Sequence, residues 1–117
     1  NKGFHAGGAI SPGREMRYNS MHLLTGNLPR LSSISNIPDI GTNTESSMIF
    51  GVEIGVISEI SAVVDSFKQK FGNFIIILTG GDGEFLIKNI KYPIFANTNL
   101  TLFGLHYLLI LNTFHEK

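Results

Sequence analysis

Phe74-Ile75-Ile76-Ile77-Leu78-Thr79-Gly80-Gly81-Asp82-Gly83-Glu84 (FIIILTGGDGE, 74–84) decides the fold. Five consecutive large apolar residues after a glycine read as a short strand covered on both faces, since a half-exposed strand would alternate. Thr79 to Asp82 then turn the chain, and a short helix follows over Glu84 to Ile90, with Asp82 placed to cap it. Ile94, Phe95 and Ala96 read as another short strand. A strand, a glycine turn and a helix form the repeating unit of an α/β fold.

Upstream, Thr42 with Glu45 three residues later reads as a capping box opening a long helix. Ile49, Val52, Val56, Ile60, Val63 and Phe67 recur at spacings of three and four, the stripe of a helix with one buried face. Its acids (Glu45, Glu53, Glu59, Asp65) precede its bases (Lys68, Lys70), as the helix dipole favours, and Gly72 and Asn73 end it. Further upstream, Ser11 and Pro12 suit a helix start at Pro12, with Met16, Met21, Leu23 and Leu24 on its buried side and Gly26, Asn27 and Pro29 as its stop. Leu31 to Asp39, rich in serine and asparagine, reads as a surface loop.

Downstream, Asn99 or Thr101 caps a final, largely buried helix reaching about Phe114. Its core, Leu100 to Leu111, falls short of the ~20 residues a bilayer span needs, and Thr101, Gly104 and His106 interrupt it. With 117 residues the chain is sized for one domain, and folding at that length removes about two thirds of its accessible surface. Nine Lys and Arg balance nine Asp and Glu, which leaves no global field to draw a polyanion. There is no cysteine, so disulfides play no part, and 43% hydrophobic residues exclude a disordered chain. The sequence opens Asn1, Lys2, Gly3, Phe4 with no initiator methionine and no basic-then-apolar leader, and reads as a piece of something longer.

Two glycine-rich turns, GGAISPG at 7–13 and TGGDGE at 79–84, each lead from an apparent strand into a helix, where free amides suit a phosphate or the edge of a nucleotide. Simple tightening of the connection is the competing reading. Neither turn is a Walker loop or a GxGxxG fingerprint. His5, His22, His106 and His115 are isolated and form no metal-ligand pair. No Ser-His-Asp arrangement can be inferred, and there is no thiol nucleophile. Asp82 and Glu84 flank the second turn, within reach of a metal or a ribose if Asp82 is not a cap. Arg14 and Arg17 read either as phosphate or acidic-partner contacts or as solvated helix charge. Gly51 and Gly55, four apart on the long helix, clear a strip that suits an oligomer seam or close internal packing.

GGAISPG (7–13), LTGNLP (24–29), IGTNT (40–44), the glycine-bearing helix after it, LTGGDGEFL (78–86) and NLTLFGLHYLLILN (99–112) together resemble, in order, the C-terminal part of a type III pantothenate kinase. The resemblance implies a ribonuclease-H-like subdomain of the actin-like ATPase superfamily, the C-terminal half of an enzyme whose two halves clasp ATP. It implies phosphorylation of pantothenate with ATP, a divalent ion such as magnesium and a monovalent cation (potassium or ammonium), at the opening of coenzyme A synthesis. It also implies a cytoplasmic homodimer with no nucleic acid or membrane partner. The family resembles proteins labelled Bvg accessory factors.

Carried over by motif, Thr44 contacts pantothenate or belongs to the helix cap with Thr42. Gly7 and Gly8 face the nucleotide, and Thr79, Gly80 and Gly81 lie near its base and phosphates, binding through backbone amides. The family's Asp-x-Gly-Asn, Gly-x-Asp-Arg and Asp-x-Gly-Thr motifs do not occur here. The resemblance therefore implies no catalytic or metal-binding residue in this chain, no bound cofactor on this piece alone, inertness alone, and the N-terminal half of the same protein as its partner. Arg14, where a small apolar residue is common, and Ser47 and Phe50 depart from the family pattern. Two other readings compete: a noncatalytic accessory module on the same fold, and a related small-molecule kinase with another acceptor, such as a sugar or acetate.

Overall fold

The computed structural model describes residues 3–115. They form four helices and two strands: α1 (Arg14–Leu23), α2 (Thr44–Phe71), β1 (Ile76–Leu78), α3 (Gly83–Asn89), β2 (Ile94–Ala96) and α4 (Leu100–His115). The chain divides into two compact units, Asn1–Ser58 and Glu59–Lys117, with the boundary inside α2.

In the first unit, α1 begins two residues later than Ser11 and Pro12 suggest, with Gly13 at its N-cap and no side-chain cap. The expected apolar face is also displaced: Met16, Leu23 and Leu24 are each well over half exposed, and the buried residues of α1 are Arg14 and Tyr18. Tyr18 turns inward because Glu53 of α2 accepts its hydroxyl proton at 2.8 Å. Residues 24–43 carry no helix or strand, an irregular stretch that contains the expected loop at 31–39 and extends beyond it on both sides.

The cap of α2 lies one residue downstream of the Thr42–Glu45 box. Asn43 Oδ1 accepts the Ser46 amide at 2.9 Å while Ser46 Oγ accepts the Asn43 amide at 3.0 Å, the same reciprocal logic with different residues. Ser46 Oγ accepts the Thr42 amide as well, at 2.9 Å. The buried line on α2 is Met48, Val52, Val56 and Val64; Val63 and Phe67, which the stripe included, are exposed. Spacings of four advance about 40° around a helix at each step, whereas the mixed three-and-four stripe drifts only about 20° the other way every seven residues, so the two patterns part at the C-terminal end. Phe67 stacks edge-on with Phe71 instead, ring centres 5.6 Å apart. Gly72, at φ +73°, ends the helix.

Among the described residues α2 is the one helix long and apolar enough to cross a membrane. Its middle carries Glu53 fully buried in an ion pair with Arg14, which reads as packing against α1.

In the second unit, β1 and β2 pair in parallel, Ile76 opposite Ile94 and Leu78 opposite Ala96, with α3 as the crossover. This is the strand, glycine turn and helix unit that residues 74–84 specify. Strand β1 is not covered on both faces: Ile77 is 53% exposed and Phe95 on its partner 65%. Phe85 and Ile90 are buried at the two ends of α3. The expected side-chain cap by Asp82 is absent from α3. Tyr92 anchors the return from α3, its hydroxyl donating to Asp65 Oδ1 at 2.7 Å. Helix α4 starts near Asn99, but it is not buried: Leu102, Phe103, Leu105, Leu108 and Leu109 are each more than half exposed. An apolar helix specifies burial without specifying which surface provides it, and the described residues leave these side chains uncovered.

Candidate functional site

The six candidate residues fall in both units, and each group has its own local geometry. Gly7 and Gly8 lie in the exposed stretch before α1, with Gly7 at φ +110° and open space where a side chain would stand on either glycine. No strand precedes this turn among the described residues. Its far end is fixed by Arg17, which donates from Nε to the Pro12 carbonyl at 2.8 Å and from Nη2 to Ser11 Oγ at 3.0 Å. The amides of the turn are therefore outside any sheet ladder, while its far end is held through the Pro12 carbonyl and the Ser11 hydroxyl by the Arg17 guanidinium.

The second turn follows directly on β1. Gly80 adopts φ +93°, a region that disfavours side chains, and neither Gly80 nor Gly81 has an atom within 4 Å of the position a Cβ would take. Thr79, Gly80 and Gly81 are all exposed. The turn is bound to the chain behind it: Asn97 donates its amide to the Leu78 carbonyl at 2.9 Å, and Gly83 closes back on the Gly80 carbonyl at 3.4 Å.

Thr44 is the first residue of α2 and is exposed. Because Asn43 and Ser46 form the cap, the Thr44 hydroxyl takes no part in it. Gly41 packs against the backbone of Ser47, so the IGTNT segment folds back on the first turn of α2 and presents Thr44 outward.

Sequence reasoning missed the ion pair beneath this surface. Arg14, read as a phosphate contact or a solvated charge, is 6% exposed and donates from Nε to Glu53 Oε2 at 2.5 Å and from Nη2 to Glu53 Oε1 at 3.1 Å. The signal was present: Glu53 stands four residues after Ile49 and beside Val52, within the apolar stripe, where a charge requires a partner. Arg14 is that partner. Burial first, then the hydrogen bond to Glu53, pushes the Tyr18 phenol well above its ordinary value. Hydrogen bonds from Ser33 hold the Glu15 carboxyl below the usual carboxylate range. The Asp65 hydrogen bond raises the Tyr92 phenol.

His22 is a structural histidine, its Nδ1 lying 2.8 Å from the Leu28 carbonyl, while His5 and His106 are exposed and the His115 side chain lies outside the described residues. No three His, Asp or Glu side chains gather to hold a metal ion among the described residues. The donors needed for a divalent ion are thus not assembled among the described residues. Of the two helix glycines, Gly51 is open, whereas Gly55 lies beneath Arg17, with Nη1 at 3.6 Å from a Cβ built there. The strip expected to be clear is thus partly covered by α1.

A sequence profile of the type III pantothenate kinase family matches residues 1–66. The type III pantothenate kinase of Flavobacterium johnsoniae is 46% identical over 98 residues, covering 84% of this chain and 40% of that protein. Those of Christiangramia forsetii and Porphyromonas gingivalis are 43% and 39% identical, covering 92% and 95% of this chain and 44% and 47% of their own lengths. The chain spans less than half the length of these relatives.

Proposed function

The chain belongs to the type III pantothenate kinase family, and from that premise we propose that it is the C-terminal half of an actin-like ATPase-fold kinase that phosphorylates pantothenate with ATP. The observation that carries this reading is the pair of open glycine turns, Gly7 at φ +110° and Gly80 at φ +93°, in a chain that aligns with named kinases over 84% of its length or more. Gly7, Gly8, Gly80 and Gly81 offer backbone donors to the nucleotide, and Thr79 lies at the start of the second turn. Thr44 offers its hydroxyl to the polar chain of pantothenate.

In this reading the γ-phosphoryl group passes from ATP to the pantothenate hydroxyl, ADP leaves, and the hydroxyl proton goes to a base on the N-terminal half. The product, 4'-phosphopantothenate, opens coenzyme A synthesis. Phosphoryl transfer depends mainly on positioning and on charge neutralisation around the phosphates, so this half alone is inert. Magnesium and a monovalent cation neutralise that charge when bound, held with residues outside this chain. The whole protein is a cytoplasmic homodimer in this reading, with Gly51 near the seam.

The test is an assay of the full-length protein carrying this segment, with ATP and pantothenate against sugar and acetate acceptors. Phosphorylation of pantothenate alone is expected. Turnover of another acceptor points to a related small-molecule kinase, and no turnover with any acceptor points to a noncatalytic accessory module.

A further inference from the structure

Arg14 and Glu53 do more than join two helices. Arg14 follows directly on the GGAISPG turn, and its Nη2 also donates to the Ile34 carbonyl at 2.6 Å. Glu53 Oε1 accepts the Ile34 amide at 3.4 Å, and the neighbouring Glu15 accepts the Ser33 amide at 2.6 Å. Both backbone groups of Ile34 and the amide of Ser33 are therefore held by side chains of α1 and α2.

This tether divides a long irregular loop. Beyond Ile34 the next fixed point is Gly41, seated on Ser47, which leaves Ser35 to Ile40 as a short span leading into Thr44. A short span between two anchors samples far fewer conformations than the whole loop from Leu24 to Asn43. An apolar pair would hold α1 on α2 as well as the ion pair does, because desolvating two charges offsets much of their attraction. Apolar side chains, however, cannot bind the amide and carbonyl of Ile34. The particular contribution of the charges is made to the loop.

Resting on the kinase reading above, we infer that Arg14 and Glu53 are positioning residues for the acceptor: they hold Ile34, beside the Ser33 that Glu15 holds, so that residues 35–40 form a fixed wall beside Thr44. The test uses the full-length protein carrying Arg14→Met with Glu53→Leu, which keeps the helix contact apolar and releases Ile34. The expected result is a rise of about tenfold in KM for pantothenate with KM for ATP within about twofold of the parental value, together with faster amide exchange at Ile34, whose acceptor on Glu53 is removed. Glu15→Ala, an exposed change that removes the acceptor of the Ser33 amide and leaves the ion pair in place, should shift KM for pantothenate in the same direction by less, and it decides the matter if the double variant does not fold. An unchanged KM for pantothenate in a folded variant, or equal rises for both substrates, overturns the inference while leaving the kinase reading intact. Failure of the parental protein to phosphorylate pantothenate removes the kinase reading and this inference with it.

Discussion

Gly41 rests directly on the backbone of Ser47, so closely that a Cβ at position 41 would overlap the Ser47 Cα and amide nitrogen. The contact turns the end of the 24–43 loop back over the first turn of α2, beside Thr44. Backbone cannot yield as the end of a flexible side chain can. Gly41→Ala should therefore cost about 1–3 kcal/mol, the range for overpacking a fitted site. Denaturant unfolding of the two proteins checks it, and an unchanged midpoint would contradict the contact.

The cap of α2 separates two sets of residues that sequence alone does not. Asn43→Ala should lower stability by about 1 kcal/mol through loss of the Ser46 amide's acceptor. Thr44→Val should leave stability nearly unchanged, because its hydroxyl lies outside the cap, yet weaken pantothenate binding in the full-length protein. Thermal unfolding and a pantothenate titration, run together on both variants, separate the two effects.

The buried ion pair gives a stability test distinct from its kinetic one. Glu53→Ala leaves Arg14 buried without its carboxylate and should destabilise by about 3–5 kcal/mol, whereas Arg14→Met with Glu53→Leu should cost less, about 1–3 kcal/mol, because it leaves no unpaired charge but takes the acceptor from the buried Tyr18 hydroxyl. Comparable losses in the single and double variants, measured by unfolding midpoint, would argue against a true pair.

Tyr18 sets an alkaline limit. Its phenol is raised in the folded protein above the ordinary value of 10.0, so at higher pH the unfolded chain loses that proton while the folded one keeps it. Its contribution is fully present below pH 10 and declines as pH rises beyond it. Melting temperatures across pH 8 to 11 should fall at the top of the range, less steeply in Tyr18→Phe. Glu15 acts in the opposite direction: its lowered carboxyl contributes above the ordinary value of 4.5, and the contribution is lost as pH falls through the folded value.

Gly51 and Gly55 call for different outcomes. Gly51→Leu projects into open space and, on the proposal that the full-length protein is a homodimer with its seam near Gly51, should lower its mass in light scattering at low concentration. Gly55→Leu meets Arg17 first and should disturb the turn that Arg17 holds, so raised KM for ATP is its expected signature. A dimer that withstands Gly51→Leu would place the seam elsewhere.

The elements with dense local signals were legible in the chain itself. The apolar run and glycines of 74–84 specify strand, turn and crossover without reference to anything distant, and Gly72 and Pro29 mark ends through their own backbone limits. The order of GGAISPG, IGTNT and LTGGDGEFL was sufficient to identify the family. The failures have a common cause. The stripe on α2 and the apolar length of α4 state that a surface is to be covered, but periodicity does not say by what. The cap moved from Thr42 to Asn43 because three adjacent polar residues can each serve, and only the approach of Gly41 to Ser47 chooses among them.

From sequence alone came the α/β unit, the family and the two open glycine turns, because each is written in neighbouring residues whose backbone preferences act locally. Tertiary structure alone decided that Arg14 is buried, that Glu53 is its partner 39 residues away, and that the two together hold Ile34. A charge gains its meaning from the dielectric and the partners around it, and those are assembled only when distant segments meet.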